Sequence, residues 1–185
     1  MTGNATVTTL FNPMQALPAW LLVAQSESGV KTFPAGQSNP RITEYHDLTN
    51  LRGYDDKASW CSSFVNWTFS RVGIAGTGSA LARSWLQWGQ PLEMPTLGCV
   101  VVLYRDDPGS WKGHVSFFLR ADETSIFLFG GNQLDAVREH SYPLVSVLGY
   151  RWPEGGIHPT RLASRSNPMS ATTASMPTSN APCNT

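Results

Sequence analysis

Charge is scarce in this chain. Of its 185 residues, 14% are Asp, Glu, Lys or Arg, against roughly 25% in an average globular protein. The 13 basic and 13 acidic residues cancel. No basic stripe is available to follow a phosphate backbone, which argues against nucleic acid as a partner. Neutral and zwitterionic substrates stay open. Cysteine is scarce too, with only Cys61, Cys99 and Cys183. Their odd number and the lack of any C-x-x-C spacing argue against a disulfide framework and against a structural zinc site. At least one thiol should be free, so a reducing cytoplasm is the expected folding compartment. No metal-ligand cluster is visible, and no cofactor is expected. Long apolar runs are missing. "AWLLVA", residues 19–24, is far short of the ~20 residues a membrane span needs. The first basic residue is Lys31, so the positive region of a secretory signal peptide is absent, and a protein made soluble is expected.

What is present suffices for a core: 41% apolar and 11% aromatic residues, in a length that suggests one domain. Residues 1–17 are small and polar and are expected to form a flexible arm. "PAWLLVAQSESGV" reads as a helix, with Pro18 in its first turn and Gly29 as its stop. Residues 39–51 read as a second short helix. "RGYDDKAS" reads as a polar loop. In "WCSSFVNWTFSRVG", Ser59 is a plausible cap for a buried helix ending near Gly73. "GTGSALARSWLQWG" reads as a further helix, on the spacing of Leu81, Trp85 and Trp88.

The pattern then changes. "CVVVLY" (99–104), "HVSFFL" (114–119), "SIFLFG" (125–130) and "VSVLGYRW" (145–152) are short, β-branched and aromatic, and turn residues separate them. They predict an antiparallel meander. Helices first and strands after make an α+β domain over 18–153. Residues 161–185 hold no acid and no aromatic. A Ser/Thr/Pro-rich disordered tail is therefore expected over 154–185.

Nucleophilic thiol chemistry needs a thiolate, a histidine that makes it, and a polar group that orients the histidine. A helix N-terminus helps by lowering the thiol pKa. Cys61 fits that position, and its backbone N–H could serve an oxyanion hole. Of the four histidines, His46 falls in a helical segment, His140 in a loop and His158 in the exit from the domain. His114 alone opens a strand, after a glycine. Asn132, in "FGGNQ", ends the next strand and could orient the imidazole. Each signal has a bland reading beside it: a small apolar thiol in a core, a hydrogen-bonded strand histidine, a turn. The order Cys, His, Asn is more informative than any one of them. Trp60 and Trp111 flank the two motifs and are candidates to line a substrate groove, with core or cleft wall as the simpler alternative. Lys112 and Arg83 could meet a carboxylate. Neither they nor Glu44 and His46 are assigned a role.

"PAW", "NPRITEY", "WCSSFVNW", "GTGSALARSW", "GHVSFF", "GGNQ" and "GYRWP" occur in one order across 18–153. Together they resemble the CHAP and NlpC-type papain-like cell-wall peptidases and amidases, especially a subgroup of small bacterial and phage proteins. The resemblance implies a papain-like fold, with N-terminal helices packed on a small antiparallel sheet. It implies Cys61 as nucleophile, His114 as general base and Asn132 as the orienting third member. The reaction implied is hydrolysis of a peptidoglycan amide, as an endopeptidase or an N-acetylmuramoyl-L-alanine amidase. The partner implied is a stem peptide, with an immunity protein plugging the cleft if the enzyme is an injected antibacterial toxin of a type VI-like apparatus. A phage endolysin is the other route to the wall, and the periplasm or wall of a target cell is the implied place of action. Two positions depart from the pattern: Gly130 stands where many relatives carry an acid, and Cys99 stands in the acidic position of the first strand. A catalytically silent binding module of a phage or secretion apparatus, and an acyltransferase using the same residues, are the alternatives.

Overall fold

The computed structural model describes residues 17–155. Apart from Leu17, Glu154 and Gly155, the expected arm and tail lie outside the described residues, and so do His158 and Cys183. The chain forms α1 (Ala19–Ser26), α2 (Pro40–His46), α3 (Cys61–Ser70), β1 (Gln90–Leu92), β2 (Val100–Tyr104), β3 (Gly113–Ala121), β4 (Ser125–Gln133), β5 (Ala136–Pro143) and β6 (Val147–Trp152), with 3₁₀ turns at Ala82–Gln87 and Leu144–Ser146. The class is α+β. One six-stranded antiparallel sheet runs β1-β6-β2-β3-β4-β5.

α3 is the centre of the molecule. Every residue from Cys61 to Phe69 is buried, and the polar Ser62, Ser63 and Asn66 among them are hydrogen-bonded. It packs on β3 and β4, and α1 and α2 pack on it in turn. Phe69 gathers Trp20, Trp85, Trp88 and Phe117 at ring-centroid distances of 4.8–5.7 Å. Such pairs add ~0.5–1.5 kcal/mol each beyond the area they bury.

The quoted motifs turn out to be packing devices. In "NPRITEY", Asn39 caps α2 by accepting from the Arg41 N–H at 2.9 Å, and Pro40 takes the first helical position. The Arg41 guanidinium forks onto Glu27 at 2.6 and 2.7 Å, reaches Glu44 at 2.6 Å and lies 4.4 Å over Trp67. Tyr45 donates to Glu27 at 2.6 Å. One cluster thus joins α1, α2 and α3. Below it, the buried Asp56 carboxylate accepts from the N–H groups of Phe33 (2.8 Å) and Asn39 (2.9 Å) and pairs with Lys57 at 2.6 Å.

Three sequence expectations need correction. α2 stops at His46 instead of residue 51, because Thr49 folds back on the His46 carbonyl through both its N–H and its hydroxyl. The helix expected over 76–89 is only the 3₁₀ turn Ala82–Gln87. Its first half is claimed by the buried Asn66, which accepts from the Gly78 N–H at 2.8 Å and donates to the Ser79 carbonyl at 3.2 Å. Backbone groups engaged this way cannot start a helix. Third, β1 and β5 had no counterpart in the sequence reading, which placed His140 in a loop. Both are sheet edges, one carrying Pro91 and the other reading "AVREHSYP". Edge strands are short or polar, which hides them from an apolar pattern.

Candidate active site

Cys61 is the first residue of α3. The residue that precedes the helix is Trp60, not the expected Ser59, and no side chain caps it. Trp60 does not line a groove: it is 1% exposed and packs against Tyr45 with centroids 6.0 Å apart. It faces inward because Gly131 leaves room for it. A Cβ on Gly131 would sit 2.5 Å from the Trp60 ring and 2.7 Å from Phe64 Cβ. A Cβ on Gly130 would overlap Ser116 Oγ. The "GG" pair is therefore needed for close approach of β4 to α3 and β3, not for a turn.

The Cys61 side chain is almost covered, with the residue 5% exposed. Burial pushes its pKa up, while the backbone N–H groups of Val115 and Ser62 and the charge of Arg105 pull the other way. Upward wins, so the helix terminus does not supply the low thiol pKa that the sequence suggested. Cys99, on the other side of the acidic-position question, is wholly buried, with its thiol pushed up to about 12 by burial.

His114 opens β3 after Gly113, as its position in the sequence suggested, and is 6% exposed. Burial pushes its pKa down to about 4. Nε2 lies 2.8 Å from Ser116 Oγ and 3.3 Å from Gln133 Oε1. The proton on this nitrogen can be assigned from its neighbours. Gln133 is 1% exposed, and its amide nitrogen donates to the carbonyls of Leu128 and Arg138. Its oxygen must then face the histidine, where it accepts from Ser116 (3.1 Å) and Tyr142 (3.2 Å). With the single Ser116 proton given to Gln133, Ser116 Oγ accepts from His114. Nε2 therefore carries the hydrogen, and Nδ1 keeps its lone pair as the basic nitrogen.

Asn132 makes no hydrogen bond to His114 among the described residues. Between Gly130 and Gln133 the β4–β5 register shifts, and Asn132 takes φ 58°. An Asn tolerates that left-handed backbone. The bulge turns Asn132 toward the cleft and Gln133 toward His114. The imidazole is thus held by Gln133 and Ser116. Gln133 follows the expected Asn132 directly in "GGNQ". Ser116 sits two positions after His114, on the same face of the strand, and that spacing was the available signal.

Two cavities meet here. The larger, about 460 Å³, holds His114, Asn132, His140 and Tyr142. The smaller, about 210 Å³, holds Cys61, Leu81 and Trp111. Trp111 is 71% exposed and stands on the open wall. Thiol and imidazole thus line two adjoining cavities that share Ser59 and Arg105. Among the described residues, no group of three or more His, Cys, Asp or Glu is placed to hold a metal ion, and no helix is long and apolar enough to cross a membrane.

No family model matches this chain, and no curated protein does. Solved structures that match include the crystal structure of a Staphylococcus aureus protein, "similar to lipoprotein, NLP/P60 family". It is 15% identical with a TM-score of 0.46, over 75% of this chain and 41% of that one. The chain therefore spans less than half the length of that protein.

Proposed function

We propose that the protein is a papain-like thiol hydrolase that cleaves an amide of peptidoglycan, acting in the wall of a target cell. One observation carries the catalytic part. The Cys61 thiol, at the start of a buried helix, lies against the N–H of Val115, and the next residue back, His114, has one ring nitrogen tied to Ser116 and Gln133. Peptidoglycan as substrate rests on the resemblance of the motifs. A silent module would have no use for an imidazole so firmly fixed in one tautomer.

In the free enzyme both groups are neutral at pH 7, because burial raises the thiol pKa and lowers that of the imidazole. Attack then couples to proton transfer. Sγ bonds to the amide carbon as its proton passes to Nδ1. The carbonyl electrons move to oxygen, where the free N–H groups of the first turn of α3 offer donors. The imidazolium passes its proton to the leaving amine as the C–N bond breaks. Water, deprotonated by Nδ1, releases the acid from the thioester and returns the proton to sulfur. Gln133 and Ser116 hold the ring through these transfers. Asn132 stands on the cleft wall, where it can bond a substrate amide, and Trp111 offers a surface for a sugar or peptide.

The test is incubation with purified sacculi and mass spectrometry of the released muropeptides, beside Cys61→Ala. New amines or split stem peptides that vanish in the variant support the reading and name the bond. Products unchanged by the substitution would overturn the role of Cys61.

A further inference from the structure

Arg105 lines both cavities, between the thiol end and the imidazole end. We propose that Arg105 is the carboxylate receptor of this cleft, so that the preferred substrate carries a free carboxylate close to the bond attacked. The word substrate rests on the hydrolase reading above; the receptor itself does not.

The other cations at the cleft already have partners. Lys57 is spent: its ammonium pairs with Asp56 at 2.6 Å and donates to the carbonyls of Phe33 (2.7 Å) and Gln37 (3.2 Å). Lys112 pairs with Asp106 at 2.9 Å. Arg83 donates to the carbonyls of Lys112 (3.1 Å) and Pro108 (3.0 Å). The two cations that the sequence offered for a carboxylate are therefore engaged elsewhere. The Arg105 guanidinium makes no hydrogen bond or ion pair among the described residues, although two acids follow it directly. Asp106 takes φ 67° and turns to Lys112, while Asp107 accepts from the Gly109 N–H at 2.7 Å within its own turn. Asp135 lines the larger cavity without forming an ion pair with Arg105. What remains is an exposed planar fork of donors over the cleft, suited to a carboxylate. Behind burial, its charge acts on both Cys61 and His114, which places it within electrostatic reach of both reacting groups.

The experiment compares alkylation of Cys61 by iodoacetate and by iodoacetamide at pH 8.5 and low salt, read by peptide mass spectrometry. Both reagents lose iodide to the same thiolate, so their rate ratio cancels any change in thiol pKa and reports only preference for the carboxylate. The ratio is expected to fall about 5–10-fold in Arg105→Gln, to stay within about twofold in Arg105→Lys, and to fall with salt in the unmodified protein. Asp135→Asn is expected to leave it level or raise it. Equal ratios in the unmodified protein and Arg105→Gln would overturn the receptor. On muropeptides, Arg105→Gln should raise KM for the free acid and leave the amidated form unchanged; equal KM changes for both forms would also overturn it. A shifted alkylation ratio in a protein that digests no sacculi would leave the receptor standing and remove the hydrolase.

Discussion

Two groups of ionisable side chains lie against α3, and they are built on opposite lines. At its Trp67 turn, Arg41 meets Glu27, Glu44 and the Trp67 ring, and Tyr45 takes up what Glu27 has left. At its first residue, burial leaves Cys61 and His114 uncharged, and Arg105 lies nearby with no counter-ion among the described residues. In the first group each charge is matched, and the Arg41 bond together with Tyr45 holds the Glu27 carboxyl below the usual carboxylate range in spite of burial. Its result is rigidity between three helices. In the second, two titrating groups are pushed away from their ordinary values by desolvation, and a cation faces solvent. Strong pKa shifts in a cleft are the usual mark of a reactive site, whereas saturated networks shift pKa values for structural reasons alone.

Substitutions should separate the two groups cleanly. The largest effect belongs to Cys61→Ala, which should lower kcat/KM on peptidoglycan by at least about 10³-fold and change urea stability by less than about 1 kcal/mol. A variant that loses stability in place of activity would make Cys61 core filler. Next comes Glu27→Ala. It strips Arg41 and Tyr45 of their acceptor and should cost about 2 kcal/mol in urea denaturation, at the low end for buried pairs because Arg41 keeps contact with water. The iodoacetate preference of Cys61 should not move. Gln133→Leu removes the acceptor facing His114; kcat should drop about 10–100-fold with KM within about twofold, since the ring loses its fixed tautomer. An equal loss in Asn132→Leu, with Gln133→Leu silent, would return the orienting role to Asn132.

The smallest effect is on pH dependence. His114 has a folded pKa of about 4, below the ~6.5 of an unfolded chain. The neutral base therefore persists down to about pH 4, and the acid limb of kcat/KM should fall there, not at pH 6.5. The same inequality makes His114 a stability term that is complete above ~6.5 and is lost progressively as pH falls toward 4. Glu27 and Asp56 act further down. Burial alone would raise the Asp56 carboxyl, but Lys57 and two backbone N–H groups bring it below its ordinary value. Their contribution is present above the usual carboxylate range and is lost below it. A rate profile from pH 3.5 to 8 with a limb at 6.5 would show that His114 is solvated when it works.

The sequence was most legible where burial is two-sided or one-sided and long. Val100–Leu103 are buried without a break, and a run of β-branched residues reads as a strand for that reason. β5 stayed hidden because Arg138, Glu139 and Ser141 face water at the sheet edge. Cys61 and His114 could be placed on their elements because a helix start and a strand start leave local marks. Which of Asn132 and Gln133 faces the imidazole could not be read, since alternation fails at a bulge and the bulge is set by the pairing of β4 with β5. The pKa directions were illegible too. They depend on what covers the thiol, and the cover comes from β3, far along the chain.

The strand order also governs how the protein is born. β6 lies between β1 and β2, so on the ribosome the sheet stays incomplete until Trp152 has been translated. Helix α3, which bears the Cys61 thiol, emerges before the strands that carry the imidazole and its amide anchor. Pairings this distant in sequence are slow to close, and until β3 and β4 join α3 the Cys61 thiol has neither its cover nor His114 beside it. The sheet closes last of all, when β6 inserts between β1 and β2.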